Sequence, residues 1–363
     1  MQSDNASYDT LIIGTSPLAI TEAIYQKSLK RAVLNIDNRG IIGGAWTTIK
    51  HQGIPEVEIG CHIWEVQKWA TDFLTAFYNL QLAPLDPPPR LFKKGVSIPY
   101  DWKMNLSTSK YIASKCFRLK FKELKAGMKS PARRFTLLPS KYLYPRGGAK
   151  ELYLRVLDKV KENDLNVRLN TSAETIDLTG SDCKVELSNE PNVLNSDRLI
   201  LTSLSDIKKI MFEDGTEMSP DTKQVDYIHL HLLVTGSIPR KFSYHRLMDD
   251  DTIHRVSDMT FQVREELNDG QVLISVGIHA KTYHAKSQED LLDSIFDKLK
   301  KRKLINKDAK LDAHGFNVFP SYYTRPDLLS KIEELSKGKI TILRSTSFTF
   351  SFHNRKKQYQ TLV

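Results

Sequence analysis

Cysteine is scarce in this 363-residue chain. Only Cys61, Cys116 and Cys183 occur, far apart and odd in number. Three scattered thiols exclude a disulfide framework and a zinc cluster of closely spaced ligands, and fit a reducing compartment, so the cytoplasm is the expected location. Long apolar runs are missing too, and none approaches the roughly 20 residues that span a bilayer. The first ten residues are polar, with Asp4 and no apolar stretch of the kind that opens a secretory signal. There is no internal repeat, no low-complexity tract, no Ser-His-Asp order and no convincing set of metal ligands. Acid is in deficit: 43 Asp and Glu face 53 Lys and Arg, a net charge of +10. The excess is local. Ten basic residues stand against Glu123 alone between Lys103 and Arg134, and a second run spans Lys298 to Lys303. No nucleic-acid module accompanies this charge, so nucleic acid is not an expected partner. A solvated helix face, an anionic substrate, a nucleotide's phosphates or an anionic membrane surface remain open.

What is present is an ordinary globular composition, 40% apolar and 26% charged, in a chain long enough for more than one core. The most informative stretch is 10–47. An apolar run (Leu11, Ile12, Ile13) enters a Gly14-Thr15-Ser16-Pro17 turn and then a helix-like segment. A second apolar run, Ala32 to Ile36, ends at Asp37, 23 positions after Gly14. This is a strand–turn–helix–strand unit of the kind that holds a dinucleotide. The turn and the helix N-terminus meet the pyrophosphate, and the acid ending the second strand takes the ribose hydroxyls. The glycine fingerprint is incomplete: Gly14 is followed by Ser16 and Ala19, and Ser16 places a side chain where backbone would approach phosphate. Arg39 and Arg344 can offset phosphate charge. Gly43-Gly44 lets the chain pass close to a ring or phosphate.

Downstream, the pattern predicts helices over 68–80, 106–128, 149–163 and 287–302, with a proline-rich loop at 84–89. Strands are expected near 166–170, 175–178, 184–187, 198–202, 225–235 and 271–278, and a strand–turn–helix from 339. His229 and His231 share one face of a strand, where a solvated or interface surface is expected rather than a metal. Cys61 is expected to be inert, and Asp249-Asp250-Asp251 to form a turn.

Several segments, in order, carry a family resemblance. Asp37-Asn38-Arg39-Gly40-Ile41-Ile42-Gly43-Gly44-Ala45-Trp46-Thr47 resembles the acid, Arg and Gly-Gly run of the flavin amine oxidase clan, which includes protoporphyrinogen oxidase and UDP-galactopyranose mutase. Gly60-Cys61-His62-Ile63-Trp64 is similar to the Gly-x-His segment that passes the flavin. Tyr144-Pro145-Arg146-Gly147-Gly148 is similar to the Tyr-Pro-x-Gly-Gly motif, and Ile253-His254-Arg255-Val256 to a mid-chain Arg segment. Leu343-Arg344 occupies the place of the closing Gly-Arg segment. Departures fall at the cofactor: Ser16, Leu343 for Gly, no Gly in Ser345-Thr346, and Phe352 near an expected acid.

The resemblance implies an α/β fold, an FAD-type two-dinucleotide-binding Rossmann-like domain with an inserted mixed β-sheet and helical substrate domain. Residues 8–66, 144–205 and 339–363 would form the discontinuous FAD-binding domain. Residues 67–143 would form a basic helical insertion and 206–338 the mixed-sheet substrate domain. It implies FAD held by Gly14, Ser16, Pro17, Ala19, Asp37, Arg39, Gly43, Gly44, Ala45, Trp46 and Arg344. His62 is the candidate catalytic group, and Arg240, Arg246 and Arg255 are candidates to hold a small anionic or nucleotide-linked substrate. The function implied is a flavin-dependent oxidoreductase or a mutase-like flavoenzyme. The alternatives are a non-catalytic binding protein that kept the fold, as GDP-dissociation inhibitors did, or a peripheral membrane flavoenzyme.

Overall fold

A computed structural model describes residues 7–59, 62, 64–93, 96–99, 109–110, 113–114, 117, 142–188, 193–239, 241–344 and 348–363. Most of the 103–134 basic segment lies outside these residues, as do Arg240, Cys61 and Ser345-Thr346.

The first apolar run is the strand Ser7–Ile13, and its neighbours follow from burial on both faces. It pairs in parallel with Val33–Ile36 on one side and Val193–Leu201 on the other. Asn166–Arg168 extends the sheet beyond Val33–Ile36, and Ile340–Ile342 pairs in parallel with the last residues of Val193–Leu201. Strands buried on both faces read as continuous apolar runs rather than alternating ones, as Leu11-Ile12 and Leu199-Ile200-Leu201 do. An antiparallel meander, Ala173–Asp177 and Cys183–Leu187, joins the first half of Val193–Leu201. Helices Pro17–Ser28, Lys68–Phe77 and Gly148–Glu162 bury Ile20, Leu74 and Leu152 against one face. Helix Pro326–Leu335 covers the other with Ile332.

The second sheet has seven strands, in the order 310–324, 222–235, 271–278, 253–258, 244–247, 90–93 and 96–99. Helix Gln288–Lys301 packs Leu291, Ile295 and Leu299 on it.

Three boundaries differ from the sequence reading. Lys209–Met211 and Glu217–Met218 continue the first sheet, because Thr175–Asp177 pairs with 209–211. Arg90–Lys93 belongs to the second sheet through its pairing with 245–247 and not to a helical insertion. Residues 310–324 form one long strand that the sequence reading did not find. Pro320 interrupts its pattern, and its place at the sheet edge is where a proline is tolerated.

The remaining sequence features resolve simply. The Asp250 carboxylate accepts the Thr252 and Ile253 N–H groups, so this is a turn, and Lys298 and Arg302 bind it. The second basic run is therefore partly neutralised by acids of that turn. His229 and His231 are buried, not solvated, because His51 packs beside His231 and Arg255 covers His229. Cys183 is buried, and burial pushes its thiol up to about 11, as an inert side chain requires. Among the described residues no group of three His, Cys, Asp or Glu can hold a metal, and no helix is long and apolar enough to cross a membrane.

Candidate functional site

Ser7–Ile13 is flanked by a parallel strand on each side, Val33–Ile36 and Val193–Leu201. In an open α/β sheet a crevice opens at that point, beyond the carboxyl ends of the strands. Four strand ends meet here: Gly14, Asp37, Thr202 and Leu343 each directly follow a parallel strand. The crevice continues into a cavity of about 810 Å³. Its walls include the 14–18 turn, Asp37 to Arg39, Gly44 to Trp46, Thr202, Ser203 and Ser205, with Tyr227, Phe319 and Tyr323 of the second sheet opposite. That volume falls in the range of small-molecule and cofactor sites.

The turn is held shut from below. The Gly14 N–H donates to the Ile36 carbonyl at 2.8 Å, and the Thr202 hydroxyl donates to the Ile13 carbonyl at 2.8 Å. Gly14 has φ +120°, and a Cβ there would lie 1.9 Å from Thr202 Oγ1. Gly14→Ala is therefore expected to cost about 2–3 kcal/mol of stability, from backbone strain plus the clash. Adding Thr202→Ala should recover only the clash. Urea unfolding of the single and double variants measures this, and full recovery would mean that the backbone conformation is not strained for a side chain.

Ser16 caps the helix that follows, its Oγ accepting the Ala19 N–H at 3.3 Å. Pro17 is the first helical residue and has no N–H. The helix N-terminus is thus partly satisfied by its own chain. Ala19 itself is fully buried in the helix-side core and does not line the cavity.

Asp37 is the centre of the network. Its carboxylate accepts the Thr15 hydroxyl at 2.6 Å, the Arg39 backbone N–H at 3.0 Å and the Arg39 Nε and Nη2 at 3.2 Å each. Arg39 stays about one-third exposed, so it can reach into the cavity, whereas Asp37 is buried. Gly43, in left-handed backbone, donates its N–H to the Thr15 carbonyl at 3.0 Å and sets the next loop against the turn. Gly44 follows at φ +64°, where a Cβ would stand 3.3 Å from Ser16 Cβ and 3.4 Å from Arg39. Ala45 and Trp46 continue the wall, and Leu343 and Phe348 extend its apolar end.

The structure places the other described candidates, His62, Arg344, Arg246 and Arg255, outside the cavity lining. His62 does not line the cavity. Its ring stacks on Trp46 at 4.1 Å, and Trp46 is the residue that faces the space. His62 Nδ1 lies 3.1 Å from Glu58, a fully buried carboxylate that also receives Tyr144 Oη and Gln262 Nε2. Arg344 turns from the cavity to bind Glu333 and Ser330 of helix Pro326–Leu335, leaving Leu343 at the wall. Arg246 and Arg255 face each other across neighbouring strands, away from the cavity lining, and Arg255 Nη2 binds His229 Nε2 at 2.7 Å. Arg240 lies outside the described residues. Sequence reasoning missed Thr15, Thr202 and Ser203 and the aromatic wall. A hydroxyl within two residues of a strand end was the available signal for the first two.

No protein-family model matches this chain, and no curated protein matches it in sequence. Solved structures do. Reduced UDP-galactopyranose mutase superposes with a TM-score of 0.67 at 14% identity, covering 92% of this chain and 88% of the mutase. This chain therefore shares the fold of that mutase. Putrescine oxidase bound to putrescine matches at 0.63 and 14% identity, covering 93% of both chains. Cyclohexylamine oxidase from Brevibacterium oxydans matches at 0.61 and 13%, again over 93% of both. The shared fold covers nearly the whole backbone, and Ser16 and Leu343 lie directly on the cavity wall.

Proposed function

We propose that this protein is a flavoenzyme, an oxidoreductase or mutase-like enzyme that holds FAD in the strand-end cavity. The carrying observation is the donor set around that cavity. Buried Asp37 ends the second strand where a ribose diol would lie. The one-third-exposed Arg39 guanidinium and the Thr15, Ser203 and Ser205 hydroxyls suit a pyrophosphate. The other end, with Ala45, Trp46, Leu343 and Phe348, suits an apolar ring. These residues fit the group. FAD, when bound, would supply hydride acceptance or nucleophilic attack at a sugar carbon, and the protein supplies position and electrostatics. Arg39 would exchange part of its pairing with Asp37 for the phosphates, freeing carboxylate oxygen for ribose hydroxyls. Trp46 would wall the ring from His62, and Glu58 would orient His62 behind it. The substrate would be small and anionic or nucleotide-linked.

The test is to denature the purified protein and analyse what is released, then to titrate the stripped protein with FAD. Release of FAD, or saturable rebinding with a flavin absorbance band, supports the reading. A colourless protein that FAD does not bind at any concentration overturns it. A second reading, a non-catalytic binding protein that kept the fold, is favoured by one observation: Ser16 and Pro17 satisfy the helix end that a phosphate would otherwise use.

Ser16→Gly separates a weakened site from an abandoned one. Glycine at a helix N-cap costs only a few tenths of a kcal/mol relative to serine. The change releases the Ala19 N–H and removes a Cβ from the phosphate path. FAD affinity is expected to rise by about tenfold, the scale of one charge-assisted hydrogen bond. Equal or weaker binding in the same titration would show that the Ser16 hydroxyl is itself a phosphate contact.

A further inference from the structure

The exposed aromatic residues of the second sheet are concentrated on one strand pair. Strands 222–235 and 310–324 pair along their whole length, but strand 271–278 joins only from Ile228 onward. Residues 222–227 and 319–324 therefore overhang as a two-stranded ribbon. Side chains alternate along a strand, so Val225, Tyr227, Phe319 and Tyr323 share one face of it. Tyr227 and Phe319 are directly opposite in register. Tyr227 is 44% exposed and Tyr323 58%. All four residues line the cavity, across from the 14–18 turn and Asp37. The Arg39 guanidinium lies 6.0 Å from the Phe319 ring centroid, so the aromatic wall and the phosphate-type cation bound the same space.

Exposed aromatic faces gathered in one cavity mark a binding surface rather than a core. Their flat π-surfaces, stiffened by the strand pair, suit another planar ring, and such stacking tolerates any heteroaromatic ring. We infer that the Tyr227–Phe319 face is a stacking platform for the heteroaromatic ring of a nucleotide bound in the cavity. The inference rests on the reading of that cavity as a nucleotide site. Adenine and a flavin ring share the required chemistry, and the ligands ADP and FMN separate them.

The test uses the full-length, cofactor-stripped protein and calorimetric titration with FAD, ADP and FMN. The variants are Tyr227→Leu and Phe319→Leu, which keep apolar bulk on exposed strand positions but remove the aromatic face, and Tyr227→Phe, which keeps it. Thermal midpoints verify folding. The Leu variants should bind FAD about tenfold more weakly, within the range of one stacked base. Tyr227→Phe should bind as the unaltered protein does. The loss should recur with ADP if adenine stacks, or with FMN if the flavin ring does. Reduced quenching of flavin fluorescence in the Leu variants would accompany the second case. Unchanged FAD affinity in both Leu variants overturns the platform and leaves the cavity reading intact. If the unaltered protein binds none of FAD, ADP and FMN, the cavity reading fails and the platform fails with it.

Discussion

Acidification is expected to unfold this protein before most of its carboxylates are protonated. His231 is fully buried, and among the described residues neither of its ring nitrogens has a hydrogen-bond partner. Burial pushes its pKa down to about 3, with His51 and Arg255 adding to the effect. His254 is also pushed down to about 3, by burial first and then by Arg255, His279 and Arg246. His229 is held well below its ordinary value by burial and by Arg255, whose guanidinium its ring accepts. All three rings are neutral in the folded state at neutral pH. In the unfolded chain they titrate near 6.5. Between those values the unfolded state binds more protons, so stability is fully present above the unfolded value and is lost as pH falls. Asp250, held down to about 2 despite its own burial by the Ile253 and Thr252 N–H groups and by Lys298 and Arg302, continues the loss below the ordinary carboxylate range. His231 and His254 each contribute a slope of about 1.4 kcal/mol per pH unit, so by about pH 4 their joint loss is on the order of 5 kcal/mol or more, and His229 adds to it in the same direction. That rivals the whole stability of many domains. Urea unfolding as a function of pH measures the slope, and His231→Phe should remove about one third of it. A slope unchanged in that variant would show that His231 is not a proton-linked ring.

Arg355→Ala is expected to be the most damaging single change near the site, at about 3–5 kcal/mol. Glu22 lies in the first helix and is fully buried. It accepts Arg355 Nη2 at 2.6 and 2.7 Å, Arg355 Nε at 3.1 Å, Tyr359 Oη at 2.6 Å and Gln26 Nε2 at 2.7 Å. Removing the guanidinium leaves a buried carboxylate short of its charged partner. The tie also fixes the segment that carries Phe348 and Ser351 into the cavity wall, so the FAD binding proposed above should weaken with it. Glu22→Leu combined with Arg355→Met should recover much of the stability, because an apolar pair avoids the desolvation of both charges. Urea midpoints of the single and double variants decide this. A loss below about 1 kcal/mol for Arg355→Ala would place the pair among weak surface ion pairs.

The nucleotide-type unit was legible because its signals are local. Gly14, the helix after it and Asp37 are fixed by turn geometry and by apolar runs of characteristic length, and the strand–turn–helix–strand order needs no distant contact. The Gly-Gly run, the Tyr-Pro-x-Gly-Gly segment and the order of strands also survived as sequence. The failures have a common cause. Arg344 was expected at the cavity by its position beside Leu343, but Glu333, eleven residues earlier in the chain, draws it outward. His62 was expected to face a ring, but Trp46 takes the wall and Glu58 holds His62 behind it. The strand 310–324 hid behind Pro320, because only a sheet edge makes that residue acceptable.

By itself the sequence determined the class of fold, the place of the strand-end turn and the acid that follows the second strand, since each depends on residues close together in the chain. Only the tertiary structure decided which side chains share the cavity. It brought Tyr227 and Phe319, far from the turn in sequence, opposite Asp37 and Arg39, and it turned Arg344 and Arg255 to partners of their own. Long charged side chains follow whichever buried or opposite-charged group packing places beside them, and packing is a property of the whole chain.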